Sequence, residues 1–147
     1  MVIYELGLLN CGLPLVSKQY YKDYNMNVDP LLRGGFLSAL NAFAQEVFSD
    51  QIDSFSLKNF KIVLLSKPFN SSGQETIISY CIGDSKLKLE TAKKALTKVL
   101  EVFFANYGHL KSLKVDLTIF NDFVTIFDDI VGDLARKPED RLKSVFG

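Results

Sequence analysis

Two adjacent glycines, Gly34 and Gly35, precede an apolar segment with helical spacing, and such a pair could bind a phosphate group. A phosphate loop places its glycines before the helix, so that free backbone N–H groups of the first turn face the anion. Here Asp29 suits an N-cap and Pro30 suits the first helical position, so both glycines fall about one turn inside the helix. The Lys-Ser/Thr pair of a Walker A loop is also absent, since the sequence continues GGFLSAL. We therefore predict that the glycines serve close packing of the helix, against the sheet or against a partner backbone.

Side chains that could perform nucleophilic, acid–base or metal chemistry do not converge in a readable pattern. His109 is the single histidine and directly follows a predicted helix, so we interpret it as a solvated residue. Asp129 and Asp133 share the exposed side of a helix whose other side is aromatic, which is more typical of a solvated face than of a metal site. Cys11 and Cys81 have neither a CxxC nor a zinc spacing, which indicates a reducing compartment and leaves a single disulfide open. We predict no catalytic residues, no cofactor and no metal.

Length, composition and charge favour one folded domain over residues 1–147. A hydrophobic content of 48%, with 12% aromatic residues, is typical of a chain with a packed core. The 17 basic residues balance the 17 acidic ones, which gives no electrostatic reason to expect nucleic acid or an anionic membrane as a partner. No apolar run approaches the roughly 18 to 20 residues that span a bilayer. The start, MVIYELGLLNCG, is predicted to be a strand and not a signal peptide.

Hydrophobic periodicity changes several times between a period of two and the helical period. Strands are predicted over residues 2–9, 15–21, 52–57, 60–66 and 76–82, and helices over 30–48, 89–107 and about 120–134. Gly108 is predicted to be the residue that ends the second helix. The order β-β-α-β-β-β-α-α predicts an α+β domain built on one five-stranded antiparallel sheet, with one helix on one face and two helices on the other.

The first predicted helix is apolar around more of its circumference than contact with a sheet requires. Its polar remainder is a narrow stripe of Ser38, Asn41, Gln45 and Ser49. A helix that packs on a sheet needs an apolar arc of roughly 100°, so something else must cover the surplus. Two covers remain open: the connector before the helix, which carries three tyrosines and a methionine between residues 20 and 26, or a second protein.

The element order and four stretches of sequence resemble the longin (SNARE-like) domain. The segment LLRGGFLSALNAFAQEVF resembles the first helix of stand-alone prokaryotic and archaeal longin-type proteins. The segments FKIVLLS and ETIISYCIGD resemble the paired central strands, and LETAKKALTKVLEVFFANY and FNDFVTIFDDIVGDL resemble the last two helices. The opening hairpin differs from the related roadblock domain, which normally begins with a helix.

This resemblance implies a non-enzymatic binding module. Longin-type domains commonly dimerise and serve as platforms for small GTPases in vesicle trafficking, or belong to tethering assemblies. The implied partners are a small GTPase and another longin or roadblock-type subunit, in a homodimer or heterodimer, with no nucleic acid. The implied location is the cytoplasm, with at most peripheral membrane association. Because the sequence ends at Gly147, where longin SNAREs continue into a coiled coil, we do not expect a membrane-fusion role.

In a longin-like sheet the strand predicted over residues 52–57 lies at an edge, beside outer residues of the first helix. These two elements provide the predicted partner-binding residues, which are Leu40, Phe43, Val47, Phe48, Phe55 and Leu57. The alternative function is a small-molecule sensor with a ligand pocket between helix and sheet, which requires a cavity with a few convergent polar groups. A hydrolase ranks last, since no nucleophile–base pair is evident.

Overall fold

Five antiparallel strands and three α-helices make up the part of the chain that the computed structural model describes, which is residues 3–10, 12–20, 30–69, 75–113 and 117–135. The strands are β1 (Ile3–Asn10), β2 (Leu13–Gln19), β3 (Ser54–Ser56), β4 (Phe60–Pro68) and β5 (Thr76–Asp84). The helices are α1 (Pro30–Phe48), α2 (Leu89–Tyr107) and α3 (Val124–Ala135), and a 3₁₀ helix (Leu117–Phe123) precedes α3. The predicted α+β class with a five-stranded antiparallel sheet is confirmed.

The strands lie in the order β2-β1-β5-β4-β3, so β2 and β3 form the two edges of the sheet. The turn between β1 and β2 contains Gly12 with a φ of +82°, a left-handed conformation that glycine adopts without steric cost. At the other edge β3 is short, and it pairs only with Lys61, Ile62 and Val63 of β4. The rest of β4, up to Pro68, extends well beyond β3.

Two separate hydrophobic clusters pack against the sheet, because successive side chains of a strand point to opposite faces. Along β5, Ile77 and Cys81 belong to the first cluster, whereas Ile78 and Tyr80 belong to the second. The first cluster also contains the buried residues of α2, the 3₁₀ helix and α3, and the second contains Leu37 of α1. Both faces of the central strands are thus buried, which explains their near-continuous apolar sequences.

Close packing explains Gly34 but not Gly35. A Cβ atom on Gly34 would lie 2.7 Å from the carbonyl oxygen of Gly12 and 2.9 Å from Cδ2 of Leu9, so the prediction of close helix–sheet packing is confirmed at this position. A Cβ atom on Gly35 would have no neighbour within 4 Å among the described residues. A side chain at the second glycine would therefore meet no described residue, although its Cα lies near Gly12.

Several details of the predicted elements differ from the structure or lie outside it. Asp29, the rest of the connector over residues 21–29, and Cys11 are not among the described residues. Gly108 keeps right-handed helical angles (φ −63°), so its position does not depend on the left-handed freedom of glycine. The third helical segment begins as a 3₁₀ helix, and its apolar spacing of three and four residues is compatible with either kind of helix.

Candidate functional site

Helix α1 presents one row of side chains to the sheet, at spacings of three, four and three residues. Gly34, Leu37 and Ala44 in this row are buried. Asn41 is half-buried, and its Oδ1 accepts a hydrogen bond from the backbone N–H of Ile52 at 3.4 Å. Leu37 is the only large apolar side chain in this row, so α1 covers the sheet with little apolar surface of its own.

A second row of α1 points away from the sheet and is mostly exposed. Its members recur at spacings of four, four, three and four residues and are Leu32, Phe36, Leu40, Phe43 and Val47. The exposed fraction is 67% for Leu32, 57% for Phe36, 58% for Phe43 and 55% for Val47. At the helix end Phe48 is 70% exposed. The three phenylalanines alone expose on the order of 300 Å² of apolar surface, already as much as the largest patch on many monomers.

The outward side of α1 is also almost free of charge. The whole of α1 contains only two charged residues, Arg33 and Glu46. Arg33 forms an ion pair beneath the helix, which leaves Glu46 for the outward side. Gly35, Ala39 and Ala42 lie exposed beside the outer row, at spacings of four and three residues. Depletion of charge with enrichment of aromatic residues is the compositional signal of the centre of a protein–protein interface. The outer side of α1 has this composition.

Strand β3 continues the apolar surface of α1 at the edge of the sheet. The ring of Phe55 is half-buried and meets the ring of Phe36 edge-on, with a distance of 6.0 Å between ring centroids. Leu57, directly after β3, is 55% exposed. We call this the α1/β3 surface, and it consists of Leu32, Phe36, Leu40, Phe43, Val47, Phe48, Phe55 and Leu57.

The six predicted partner-binding residues all belong to the α1/β3 surface, although they differ in exposure. Phe43, Val47, Phe48 and Leu57 are exposed. Leu40 and Phe55 are half-buried. The prediction omitted Leu32 and Phe36, which the same spacing of three and four residues could have identified.

A buried ion pair joins α1 to the sheet beneath this surface. Glu5 of β1 is fully buried, and both of its carboxylate oxygens accept hydrogen bonds from Arg33, at 2.6 Å from Nη2 and 3.1 Å from Nε. The Tyr80 hydroxyl donates to Glu5 Oε2 at 2.7 Å, and Gln19 Nε2 donates to Oε1 at 3.2 Å. Burial, and then the nearby Glu5 carboxylate, raise the pKa of Tyr80, so its hydroxyl remains a donor. Because few of the described side chains of α1 are buried and apolar, we attribute much of its position to this network.

The Glu5 network was not predicted from the sequence, although part of the signal was present. Glu5 is the only charged residue in the apolar strand β1, and Arg33 is the only basic residue in α1. A buried carboxylate requires a partner, so the sequence indicates that Glu5 pairs with a base, but Lys18 of β2 and Arg33 of α1 are equally possible candidates at that level.

The connector was one expected cover for the surplus apolar side of α1. Tyr20, its first aromatic residue, packs against the first hydrophobic cluster, together with α2 and α3, and not against Leu37. Residues 21–29 lie outside the described part of the chain.

A small open recess lies between α1 and neighbouring parts of β4 and β5. Its volume is about 260 Å³. Its polar lining residues are Ser38, Asn41, Gln45, Gln51, Ser66 and Thr76. Pockets for drug-sized ligands commonly have volumes of about 300 to 1,000 Å³, so this recess accommodates only a small group.

The residues considered for catalysis or metal binding do not converge in the structure. His109 is exposed after α2, and Asp128 pairs with Lys18 of β2 at 2.7 Å. Asp129 is exposed, and residues 131–135 of α3 have no described side chains. Among the described residues no three His, Cys, Asp or Glu side chains are grouped as metal ligands would be. Burial raises the pKa of Cys81 to about 12, so this thiol is a poor nucleophile.

Comparisons with known proteins do not identify a relative, since no protein-family model matches the chain and no curated protein matches it significantly. Among the described residues, no helix combines the length and apolar character that crossing a membrane requires. The α1/β3 surface is therefore the feature of the described structure that bears most directly on function.

Proposed function

We propose that this protein is a non-enzymatic protein–protein interaction module, a longin-type platform that dimerises through the α1/β3 surface and engages a small GTPase or a trafficking or tethering assembly. The observation that carries the proposal is the exposed, nearly uncharged outer row of α1. Exposure of large aromatic side chains on an uncharged helix is unfavourable in water unless a partner covers them.

A second copy of the chain is the occupant that this surface fits best. In a twofold-symmetric dimer the same patch faces itself, so a charged patch would meet charge of the same sign. The outer side of α1 carries only Glu46 and avoids this repulsion. Its exposed small residues, Gly35, Ala39 and Ala42, also offer a shallow groove beside a ridge of large side chains. Ridges that pack into grooves are the normal basis of helix–helix contacts.

Gly35 gives separate support for a partner on α1. A glycine inside a helix costs about 1 kcal/mol relative to alanine, so a compensating contact is expected. No described residue of this chain lies where its Cβ atom would be. Close approach of a partner helix would supply the compensation.

The longin-like arrangement is also part of the proposal: α1 on one face of the sheet, with α2 and α3 on the other. Membership of the two hydrophobic clusters supports it, since Leu37 of α1 and Phe103 of α2 belong to different clusters.

The dimer is tested by replacing Phe43 with glutamate and measuring the mass in solution by light scattering after size exclusion. We expect the wild-type chain to have twice the monomer mass and Phe43→Glu to be a folded monomer, because a carboxylate would be buried without a partner charge. Ile119→Glu is the matched control, since Ile119 is 43% exposed but lies on the 3₁₀ helix, and we expect it to remain dimeric. A folded Phe43→Glu variant that keeps the dimer mass would refute an interface at α1.

The GTPase part of the proposal rests on the longin resemblance and needs its own experiment. The tagged chain is used to capture proteins from its host's lysate with GDP or with a non-hydrolysable GTP analogue. We expect a small GTPase to be retained in one nucleotide state, and binding by the purified GTPase to reproduce that preference. Equal capture of a GTPase in both nucleotide states, or capture of no GTPase, would refute the role as a GTPase platform. The proposal that the chain is a dimeric subunit of an assembly would still stand.

The alternative function remains a small-molecule sensor, and the recess between α1 and the sheet is its candidate ligand site. A ligand that binds only the folded state raises the melting temperature, by an amount that follows RT ln(1 + [L]/Kd). A thermal-shift screen of small metabolites would therefore support the sensor if one compound stabilised the wild-type chain but not a Thr76→Val variant.

A further inference from the structure

Strand β4 has an open edge next to the recess. The backbone N–H of Leu64 donates to the carbonyl oxygen of Asp53 at 2.9 Å, on the side of the sheet where β3 lies. Backbone groups of alternate residues in an antiparallel strand face the same neighbour, so those of Ser66 face this side as well. No backbone hydrogen bond joins Ser66 to a described residue there. Pro68, which has no N–H, closes this open stretch.

The recess beside this edge contains hydrogen-bonding side chains but no charged one. Its six polar lining residues carry hydroxyl or amide groups. The Ser38 hydroxyl oxygen is enclosed and has no hydrogen-bond partner among the described residues. This oxygen is closed off from the recess, so the groups open to a ligand are those of exposed lining residues such as Gln45 and Gln51.

We propose that the open edge of β4 and the recess together bind an extended, uncharged polar peptide segment of a partner protein by strand addition. The main chain of the segment would pair with Ser66 as a further strand. Alternate side chains of an added strand point to the same face of the sheet. One of them, a serine, threonine, asparagine or glutamine, enters the recess and pairs with exposed lining groups such as the side-chain amides of Gln45 and Gln51.

Charge and size define what the recess accepts. A charged side chain would lose water without meeting an opposite charge, since the lining residues are neutral. A volume of about 260 Å³ holds a side chain and part of a main chain, not a large ligand. The adjoining backbone edge favours a peptide over a free metabolite, because it offers main-chain hydrogen bonds outside the recess.

This site is separate from the α1/β3 surface, although both use α1. With 100° of rotation per residue, Ser38 and Gln45 lie on the flank of α1 opposite Phe36 and Phe43. A peptide can therefore bind at the recess while a second copy of the chain covers the outer row, provided that this copy does not cover Ala42, which lines the recess as well as the small-residue groove.

The test is an NMR titration of the ¹⁵N-labelled chain with blocked pentapeptides of sequence Val-Thr-X-Thr-Val, where X is Asn, Gln, Thr, Glu or Lys. We expect neutral X to shift the backbone amides of Gln51, Ser66 and Thr76, and Glu or Lys to bind at least fivefold more weakly. No shift of these amides at millimolar peptide, or shifts confined to the α1/β3 surface, would overturn the proposal.

Ser66→Pro isolates the strand-addition step, because it removes the outward N–H and leaves the β4–β5 hydrogen bonds in place. We expect at least fivefold weaker peptide binding, while the control Ser66→Ala, which keeps the N–H, binds within twofold of the wild type. If Ser66→Pro does not fold, peptides N-methylated at each position in turn probe the same hydrogen bonds from the other side. Unchanged binding in whichever of these tests can be performed would exclude pairing at this edge.

The same titration on Phe43→Glu separates this site from the proposed dimer. Peptide binding that survives in a monomeric variant supports two independent sites. Loss of binding in that variant would show that the peptide depends on the dimer interface, and the separate site would be rejected. A dimer that forms while no peptide binds would reject strand addition and leave the proposed function standing.

Discussion

Helices α1 and α2 are each 19 residues long, yet they use their apolar residues differently. Helix α2 buries six residues against the rest of the chain, and four of them are large enough to fill a core: Leu96, Val99, Leu100 and Phe103. Among the described side chains of α1, Leu37 is the only large one that is buried. Helix α1 nevertheless has the more apolar sequence. The surplus apolar surface of α1 therefore does not contribute to the core formed by the described residues.

The two clusters are also held together by different interactions. Phe103 contacts the rings of Tyr107, Phe120 and Phe123 at centroid distances of 5.0 to 5.6 Å, in an aromatic cluster. In the second cluster, α1 is held by a buried ion pair between Glu5 and Arg33 and by the close approach of Gly34 to the Gly12 carbonyl oxygen. Aromatic packing tolerates local change poorly but is not directional, whereas the ion pair fixes one orientation of α1.

The largest expected effect is the loss of stability on truncating Phe103. We expect Phe103→Ala to lower the free energy of unfolding by about 3 to 5 kcal/mol, because it removes a fully buried ring and leaves a cavity. Phe43→Ala is the matched control on α1, and at protein concentrations too low for dimerisation we expect a change within about 0.5 kcal/mol. Urea unfolding followed by circular dichroism measures both. Equal losses in the free energy of unfolding would show that Phe43 and Phe103 contribute equally to stability, which would contradict the proposed difference between α1 and α2.

Breaking the ion pair is expected to have the next largest effect. Arg33→Met leaves the Glu5 carboxylate buried without its charged partner, and we expect a loss of about 3 kcal/mol in urea unfolding at pH 7. The double variant Glu5→Gln/Arg33→Met removes both charges while a side-chain amide stays beside Tyr80. We expect it to recover at least about 1 kcal/mol of this loss. A single variant as stable as the wild type would mean that the pair does not hold α1.

Much of the fold was predictable because the central strands are buried on both faces. Continuous apolar runs such as Ile62 to Leu65 indicate such strands directly, and the helical spacing of 89–107 is equally clear. The predicted strand 52–57 is also close to the structure, because backbone hydrogen bonds of Asp53 and Leu57 with β4 flank the strand Ser54–Ser56.

The site was predictable only where it depends on residues that are close together in the sequence. An excess of apolar residues on one helix shows in the sequence, and it gave Phe43, Val47 and Phe48. The pairing of Glu5 with Arg33 depends on where α1 crosses the sheet, and sequence spacing does not contain that information. The recess likewise forms from residues far apart in the chain, such as Ser38 and Thr76.

Buried thiols on the two faces would show whether α1 opens separately from the rest of the fold. Cys81 faces the first cluster, and Leu37→Cys would place a thiol in the second. Two variants are compared: one carries Cys11→Ser and keeps Cys81, and the other carries Cys11→Ser, Cys81→Ala and Leu37→Cys. We expect a thiol reagent at pH 8 to label the introduced thiol of the second variant at least tenfold faster than it labels Cys81 of the first. The reason is that few apolar contacts hold α1, so local opening suffices, whereas Cys81 requires near-global unfolding. Equal labelling rates would indicate that both faces open together.

The smallest expected effects come from the two glycines, and they connect stability with assembly. Gly34→Ala should lower stability by about 1 kcal/mol, because its Cβ would lie 2.7 Å from the Gly12 carbonyl oxygen and the strain outweighs the gain in helix propensity. Gly35→Ala meets no described atom, so we expect it to raise the stability of the Phe43→Glu monomer by about 0.5 to 1 kcal/mol. If a partner helix packs against Gly35, the same substitution without Phe43→Glu should weaken dimerisation, measured as a higher dissociation constant in sedimentation equilibrium. A chain that becomes more stable and dimerises as tightly as before would place the partner away from the small-residue side of α1.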